Sequence, residues 1–180
     1  MNVTEHPLSA EYKYKGRIIN LRVDTCALPD GNTAVREVVE HPGGVCIAAI
    51  TDEDEILLVR QFRYPFLKET LELPAGKLEP GEDPLPAGQR ELKEETGCEA
   101  DRYASLGFLY PSPGYCGEII HMYRAEGLHF GAAHPDEDEF LDVLRLPFAR
   151  AVEMVMEGEL PDAKTQTAIL KIYAQRSMKK

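Results

Sequence analysis

Gly76-Lys77-Leu78-Glu79-Pro80-Gly81-Glu82-Asp83-Pro84-Leu85-Pro86-Ala87-Gly88-Gln89-Arg90-Glu91-Leu92-Lys93-Glu94-Glu95-Thr96-Gly97 reads as a glycine-bounded loop that runs into a helix. Pro84 is tolerated in a first helical turn, Asp83 stands where an N-cap belongs, and Gly97 is a natural C-terminal stop. The spacing therefore predicts a helix over 84–96. Offsets of three and four residues bring Glu91, Glu94 and Glu95 onto one stripe, with Leu92 on the opposite, core-facing side. Three like charges on a stripe repel unless something positive lies among them. A divalent cation suits the place, because carboxylate oxygens match hard ions such as magnesium or manganese.

Outward from the helix, Val45 to Ile50 is a continuous apolar run that suits a buried strand, followed by a charged turn and a second strand over 56–62. A short extended segment, 70–73, leads into the loop. Further strands are expected at 103–109, 118–125 and 140–146. Helices are expected at 147–157 and 162–175, where Ala168, Ile169, Ile172 and Tyr173 recur at helical spacing. Upstream, residues 11–27 alternate as one or two strands, with Tyr12, Tyr14, Ile18, Leu21 and Val23 expected inside. Pro29-Asp30-Gly31-Asn32 is a strong turn before a returning strand over 34–40. The pattern is α+β, divided into an N-terminal antiparallel β subdomain, 1–42, and a larger body, 43–180.

At 180 residues the chain is long enough for a real core. Its formal charge of −11 argues against nucleic-acid or anionic-membrane surfaces, which need excess lysine and arginine. The N-terminus has neither the basic start nor the apolar run of a signal peptide, and no segment approaches the ~20 apolar residues that span a bilayer. Cys26, Cys46, Cys98 and Cys116 are scattered, without a C-x-x-C pair, and suit free thiols in a reducing cytoplasm.

The box can be written G-x5-E-x7-R-E-U-x-E-E-x-G-U, with U apolar. It is met by Gly76, Glu82, Arg90, Glu91, Leu92, Glu94, Glu95, Gly97 and Cys98. At ~7% usage apiece, its seven fixed positions coincide by chance about once in 10^8 starting points. The chain thus resembles the Nudix hydrolases, which cut nucleoside diphosphates linked to a second group. The resemblance implies an αβα sandwich. It also implies two or more magnesium (or manganese) ions held by Glu91, Glu94, Glu95 and the Ala75 carbonyl, with Glu82 and Arg90 orienting the ligands. Such cations would let so acidic a chain hold an anionic substrate. A general base or further ligand is expected in Asp136-Glu137-Asp138-Glu139, with Glu139 at the loop–strand junction preferred to Glu137.

Three features are similar to the ADP-ribose pyrophosphatase branch. They are the lead-in Leu71-Glu72-Leu73-Pro74-Ala75-Gly76-Lys77, Pro113 sixteen residues after Gly97 (97 + 16 = 113), and Val59-Arg60-Gln61-Phe62-Arg63-Tyr64. That likeness implies Arg63 and Glu72 as substrate contacts, with Pro113 beside them. On a strand, residues 60 and 62 share one face, and 61 and 63 the other. The segment 34–43 matches the same branch, whose N-terminal subdomain is exchanged across a homodimer and helps build the nucleoside pocket. Arg36 and Glu37 are therefore candidate substrate contacts. Glu118 is a weaker one, and His121 on its apolar strand is expected to be packed. The expected reaction is ADP-ribose to AMP and ribose 5-phosphate. GDP-mannose or ADP-glucose is the alternative substrate, and a non-catalytic ligand sensor is the rival of another class. The intact set of box acids disfavours the sensor.

Overall fold

A computed structural model describes residues 2–135 and 139–178. The chain divides into two compact units: Met1–Gly43 with Tyr110–Ile119, and Gly44–Leu109 with Ile120–Lys180.

The larger unit is built on β4 (Gly44–Ala49), every residue of which is buried. β4 lies inside a four-stranded sheet of order β7 (Ala75–Lys77), β4, β9 (Ile120–Phe130) and β8 (Cys98–Leu109), and it runs parallel to β9 alone. A second, antiparallel sheet has the order β10 (Asp142–Pro147), β5 (Glu55–Arg63) and β6 (Lys68–Glu72). The period of two sends alternate β4 residues to opposite faces. Val45, Ile47 and Ala49 pack with Leu57, Ala87 and Leu92, and so against α1 (Pro84–Thr96). Cys46, Ala48 and Ile50 pack with Phe148, Ala151, Ala168, Ile169 and Ile172, on α2 (Phe148–Met156) and α3 (Ala163–Met178). Helices on both faces of a β layer make the α+β, αβα sandwich. Among the described residues no helix is long and apolar enough to cross a membrane.

α1 has the expected limits. Asp83 occupies the N-cap position, but its side chain makes no capping bond; its carbonyl accepts the Ala87 N–H at 3.1 Å. Gly97 ends the helix with φ 67°, where a Cβ would come within 2.4 Å of the Gly131 carbonyl oxygen.

The smaller unit is an antiparallel sheet of order β1 (His6–Lys15), β2 (Asn20–Ala27) and β3 (Thr33–Glu40). Here the burial expectation fails: Tyr12, Tyr14 and Ile18 are 45%, 59% and 51% exposed. Among its described residues this unit holds neither a helix nor a second sheet to cover that face, and of central strand β2 only Asp24 and Cys26 are buried. Residues 110–119 are strapped to β3 by backbone bonds, Val39 N–H to Tyr115 O (2.8 Å) and Gly117 N–H to Val39 O (2.9 Å). All four cysteines are free.

Candidate active site

The loop after β6 and the inward face of α1 meet at two carboxylates. Glu95, 3% exposed, accepts the Ala75 N–H at 3.0 Å. Glu91 packs its carboxylate onto Gly76, filling the space a Cβ would take. Burial, then the charges of Glu91 and Glu139, push the Glu95 carboxyl up to about 8 against the pull of the Ala75 N–H and Lys164. Glu91 is also raised, first by burial and then by Glu94 and Glu139, although Arg90 opposes them.

Arg90 is the cation of the stripe. Its Nε and Nη2 each lie 3.2 Å from the Glu82 carboxylate, and its Nη1 lies 2.9 Å from Glu94 and 3.0 Å from Glu91. Glu82 also accepts the Glu79 N–H at 3.0 Å, and Arg90 holds its carboxyl below the usual range. Glu82 and Arg90 thus lock the loop onto the helix. Glu94 turns toward this arginine and Glu95 toward Ala75, while Glu91 lies between, against Gly76 and within reach of Arg90. Accordingly, among the described residues no three acidic, imidazole or thiol groups converge as a ready-made metal cage. The donor set nonetheless fits a hard divalent cation. It offers carboxylate oxygens beside a glycine-opened backbone, and their mutual repulsion is the kind a cation relieves.

The segment before β10 is drawn to the same helix end. His134 N–H donates to Glu94 O at 2.8 Å and Gly131 N–H to Gly97 O at 2.7 Å. Glu139, partly buried, lies close enough to raise both Glu91 and Glu95 electrostatically. Glu137 lies outside the described residues.

Arg63 and Glu72 are joined by a two-pronged ion pair, Nε to Oε1 at 2.8 Å and Nη2 to Oε2 at 2.6 Å. Thr70 donates to the same carboxylate at 2.6 Å, and Lys164 of α3 donates to it as well. Burial opposes the Glu72 charge, but Arg63, Lys164 and Thr70 outweigh it and hold the carboxyl down at about 2. The residues of β5 alternate as expected, with Arg60 and Phe62 exposed and Gln61 and Arg63 partly buried. His121 is partly buried with its ring 6.2 Å from Phe108, so it is packed. Sequence reasoning missed Lys164, Asp162 and Thr165. The available signal was Lys164 itself, four residues before Ala168 on the stripe that α3 turns to the core.

The remaining candidates belong to the smaller unit. Arg36 pairs with Glu5 through two bonds, 3.0 and 2.6 Å, and Glu37 is exposed beside it on β3. Pro113 is exposed in the 110–119 segment, where Glu118 approaches His41 at 3.6 Å.

The NUDIX domain model matches residues 40–165, and the model of the nucleoside diphosphate sugar hydrolase N-terminal domain matches residues 5–39. The chain is 43% identical over 177 residues to the methanol dehydrogenase activator of Bacillus methanolicus, covering 97% of this chain and 96% of that one. It is 41% identical over 170 residues to the ADP-ribose pyrophosphatase of Bacillus subtilis (strain 168), covering 93% and 92%. It is 35% identical over 162 residues to the GDP-mannose pyrophosphatase of Yersinia enterocolitica, covering 82% and 83%. The crystal structure of an ADP compounds hydrolase superposes with a TM-score of 0.86 at 23% identity, over 99% of this chain and 98% of that one, a likeness of fold.

Proposed function

Because this chain belongs to the Nudix family, we propose that it hydrolyses the diphosphate of ADP-ribose to AMP and ribose 5-phosphate. Nudix hydrolases are generally dependent on divalent metals. Here Glu91, Glu94, Glu95 and the Ala75 carbonyl would hold two or more magnesium or manganese ions, with Glu139 as base or added ligand. Held there, such ions would supply charge neutralisation on the phosphoryl oxygens and a more acidic water. The observation that carries the reading is the meeting of Glu91 and Glu95 with Ala75 and Gly76 at the start of β7, within electrostatic reach of Glu139.

The chain's own side chains divide the rest of the work. A Glu139 carboxylate oxygen accepts a proton from the attacking water. Arg63 spends Nε and Nη2 on Glu72 and offers Nη1 to the diphosphate, for which a guanidinium fork is better shaped than an ammonium. Arg90 and Glu82 keep the acids at their stations. Residues 1–42 form the subdomain exchanged across a homodimer, where Arg36 and Glu37 reach the nucleoside. The exposed Leu8, Tyr12, Tyr14 and Val35 support that reading, since a second copy would cover them. Four free thiols accord with a cytoplasmic setting.

A panel of nucleoside diphosphate sugars with magnesium or manganese tests the proposal, reading release of each substrate's nucleoside monophosphate, AMP from ADP-ribose and GMP from GDP-mannose. ADP-ribose is expected to lead, and Glu94→Gln and Glu139→Gln to lose turnover by about two orders of magnitude or more. A tenfold preference for GDP-mannose would move the substrate assignment. Absence of metal-dependent cleavage of every substrate would replace the enzyme by a ligand sensor.

A further inference from the structure

Lys164 is out of place by ordinary rules. It is 7% exposed, and it sits in the first turn of α3, where the helix dipole already makes a positive end. A buried ammonium there needs close anions, and the structure supplies two: Glu72, itself 2% exposed, and Asp162 at 3.0 Å. Asp162 is also the cap of α3, accepting the Thr165 N–H at 3.0 Å and the Thr165 hydroxyl at 2.6 Å. The Thr165 oxygen in turn accepts the Leu73 N–H at 2.9 Å. The first turn of α3 is therefore bolted to Glu72 and Leu73, just ahead of Ala75.

Arg63 shares the Glu72 carboxylate with Lys164 through a fork that fixes its guanidinium plane. The two cations balance Glu72 and Asp162, so the cluster as a whole is neutral. Without the Lys164 ammonium, two carboxylates would compete for Arg63 alone, and its remaining N–H groups would turn from any outside anion. We infer that Lys164 is a positioning residue: held in the first turn of α3, it anchors Glu72 and thereby aims Arg63 at the diphosphate of the substrate. This rests on the Nudix pyrophosphohydrolase reading above and on the phosphate-contact role given there to Arg63.

The test compares wild type, Lys164→Met and Lys164→Arg in steady-state hydrolysis of ADP-ribose. It adds calorimetric binding of a non-hydrolysable methylene analogue and a thermal melt. Loss of an aimed phosphate contact raises KM and Kd about tenfold in Lys164→Met while kcat stays within about threefold, and Lys164→Arg recovers most of the affinity. A purely structural lesion would instead lower the melt and the active fraction and leave KM alone. Should Lys164→Met not fold, Lys164→Gln keeps a hydrogen-bonding group for Glu72 without the ammonium charge, and it is expected to fold with the same rise in KM. Unchanged KM and Kd in a folded variant, beside an active wild type, overturn the inference and leave the enzyme reading standing. A wild type that neither binds nor cleaves overturns both.

Discussion

The Glu91 carboxylate occupies the volume that a Cβ on Gly76 would need: a methyl group there would lie 1.9 Å from Glu91 Cδ and 2.0 Å from Oε1. The atoms in conflict are the far end of a flexible side chain, so the fold can yield by swinging Glu91 aside. Gly76→Ala should therefore change stability by no more than ~1 kcal/mol. Magnesium-dependent turnover should fall about a hundredfold, because the displaced acid is a proposed ligand. Paired melts and kinetics check this; a variant with wild-type kcat would show that Glu91 need not sit against the loop.

Gly97→Ala fails for a different reason. The left-handed φ of 67° disfavours any side chain, and the obstacle is backbone, the Gly131 oxygen at 2.4 Å and the Ala132 carbonyl carbon at 2.9 Å. Backbone cannot rotate away as a side chain can. A loss of about 2 kcal/mol or more is expected by urea denaturation. The segment 131–134 should loosen with it, visible as faster amide exchange at Gly131 and His134, whose N–H groups bond Gly97 O and Glu94 O.

These contrasts also separate what could be read in the sequence from what could not. α1 was legible to the residue because Pro84 and Gly97 punctuate it, and β4 because its apolar run is unbroken. β8 starts ahead of the expected 103–109, and β9, which begins at Ile120 and not at 118, runs on past the expected 125. Their added residues, such as Glu99, Arg102 and His129, are held by backbone pairing and not by an apolar pattern. Tyr12 and Tyr14 alternate as core residues do, yet the described residues of their own unit form no layer to cover them. At the site, the box acids could be named from spacing alone. The partition among them could not, since Arg90 takes Glu94 while backbone takes Glu95. Lys164 stayed hidden because its partner Glu72 is 92 residues away along the chain.

Leu92 and Glu94 are neighbours with opposite duties, which allows chemistry and packing to be told apart. Leu92 is fully buried with Val45, Ile47 and Ala87. Leu92→Ala should cost about 2–5 kcal/mol by denaturant titration, and the fraction still folded should keep kcat within about threefold. Glu94→Gln should do the reverse, holding stability within ~1 kcal/mol while turnover collapses. If both substitutions moved stability alone, the acidic stripe would be scaffolding.

Glu95 makes the pH dependence of the metal-free protein run opposite to the usual carboxylate. Its ordinary value is 4.5, and in the folded chain burial, then Glu91 and Glu139, raise it to about 8. Between those values the folded state keeps a proton that the unfolded chain has released. The stability it contributes is therefore complete below 4.5 and is lost as pH rises through about 8. Glu72, held down at about 2, works in the other direction, contributing above its ordinary 4.5 and losing that contribution as pH falls through 2. The two windows do not overlap, so a fall in stability between 4.5 and about 8 belongs to Glu95, with Glu91 raised alongside it. Each pH unit across the window is worth at most ~1.4 kcal/mol for one group. In chelator, the urea midpoint of the wild type should decline from weakly acid to mildly alkaline pH, and Glu95→Gln should flatten that decline. Added magnesium favours the ionised carboxylate, so its stabilising increment should grow with pH over the same range. A midpoint that is level without metal and unmoved by magnesium would mean that Glu95 is satisfied by Ala75 alone and takes no part in holding a cation.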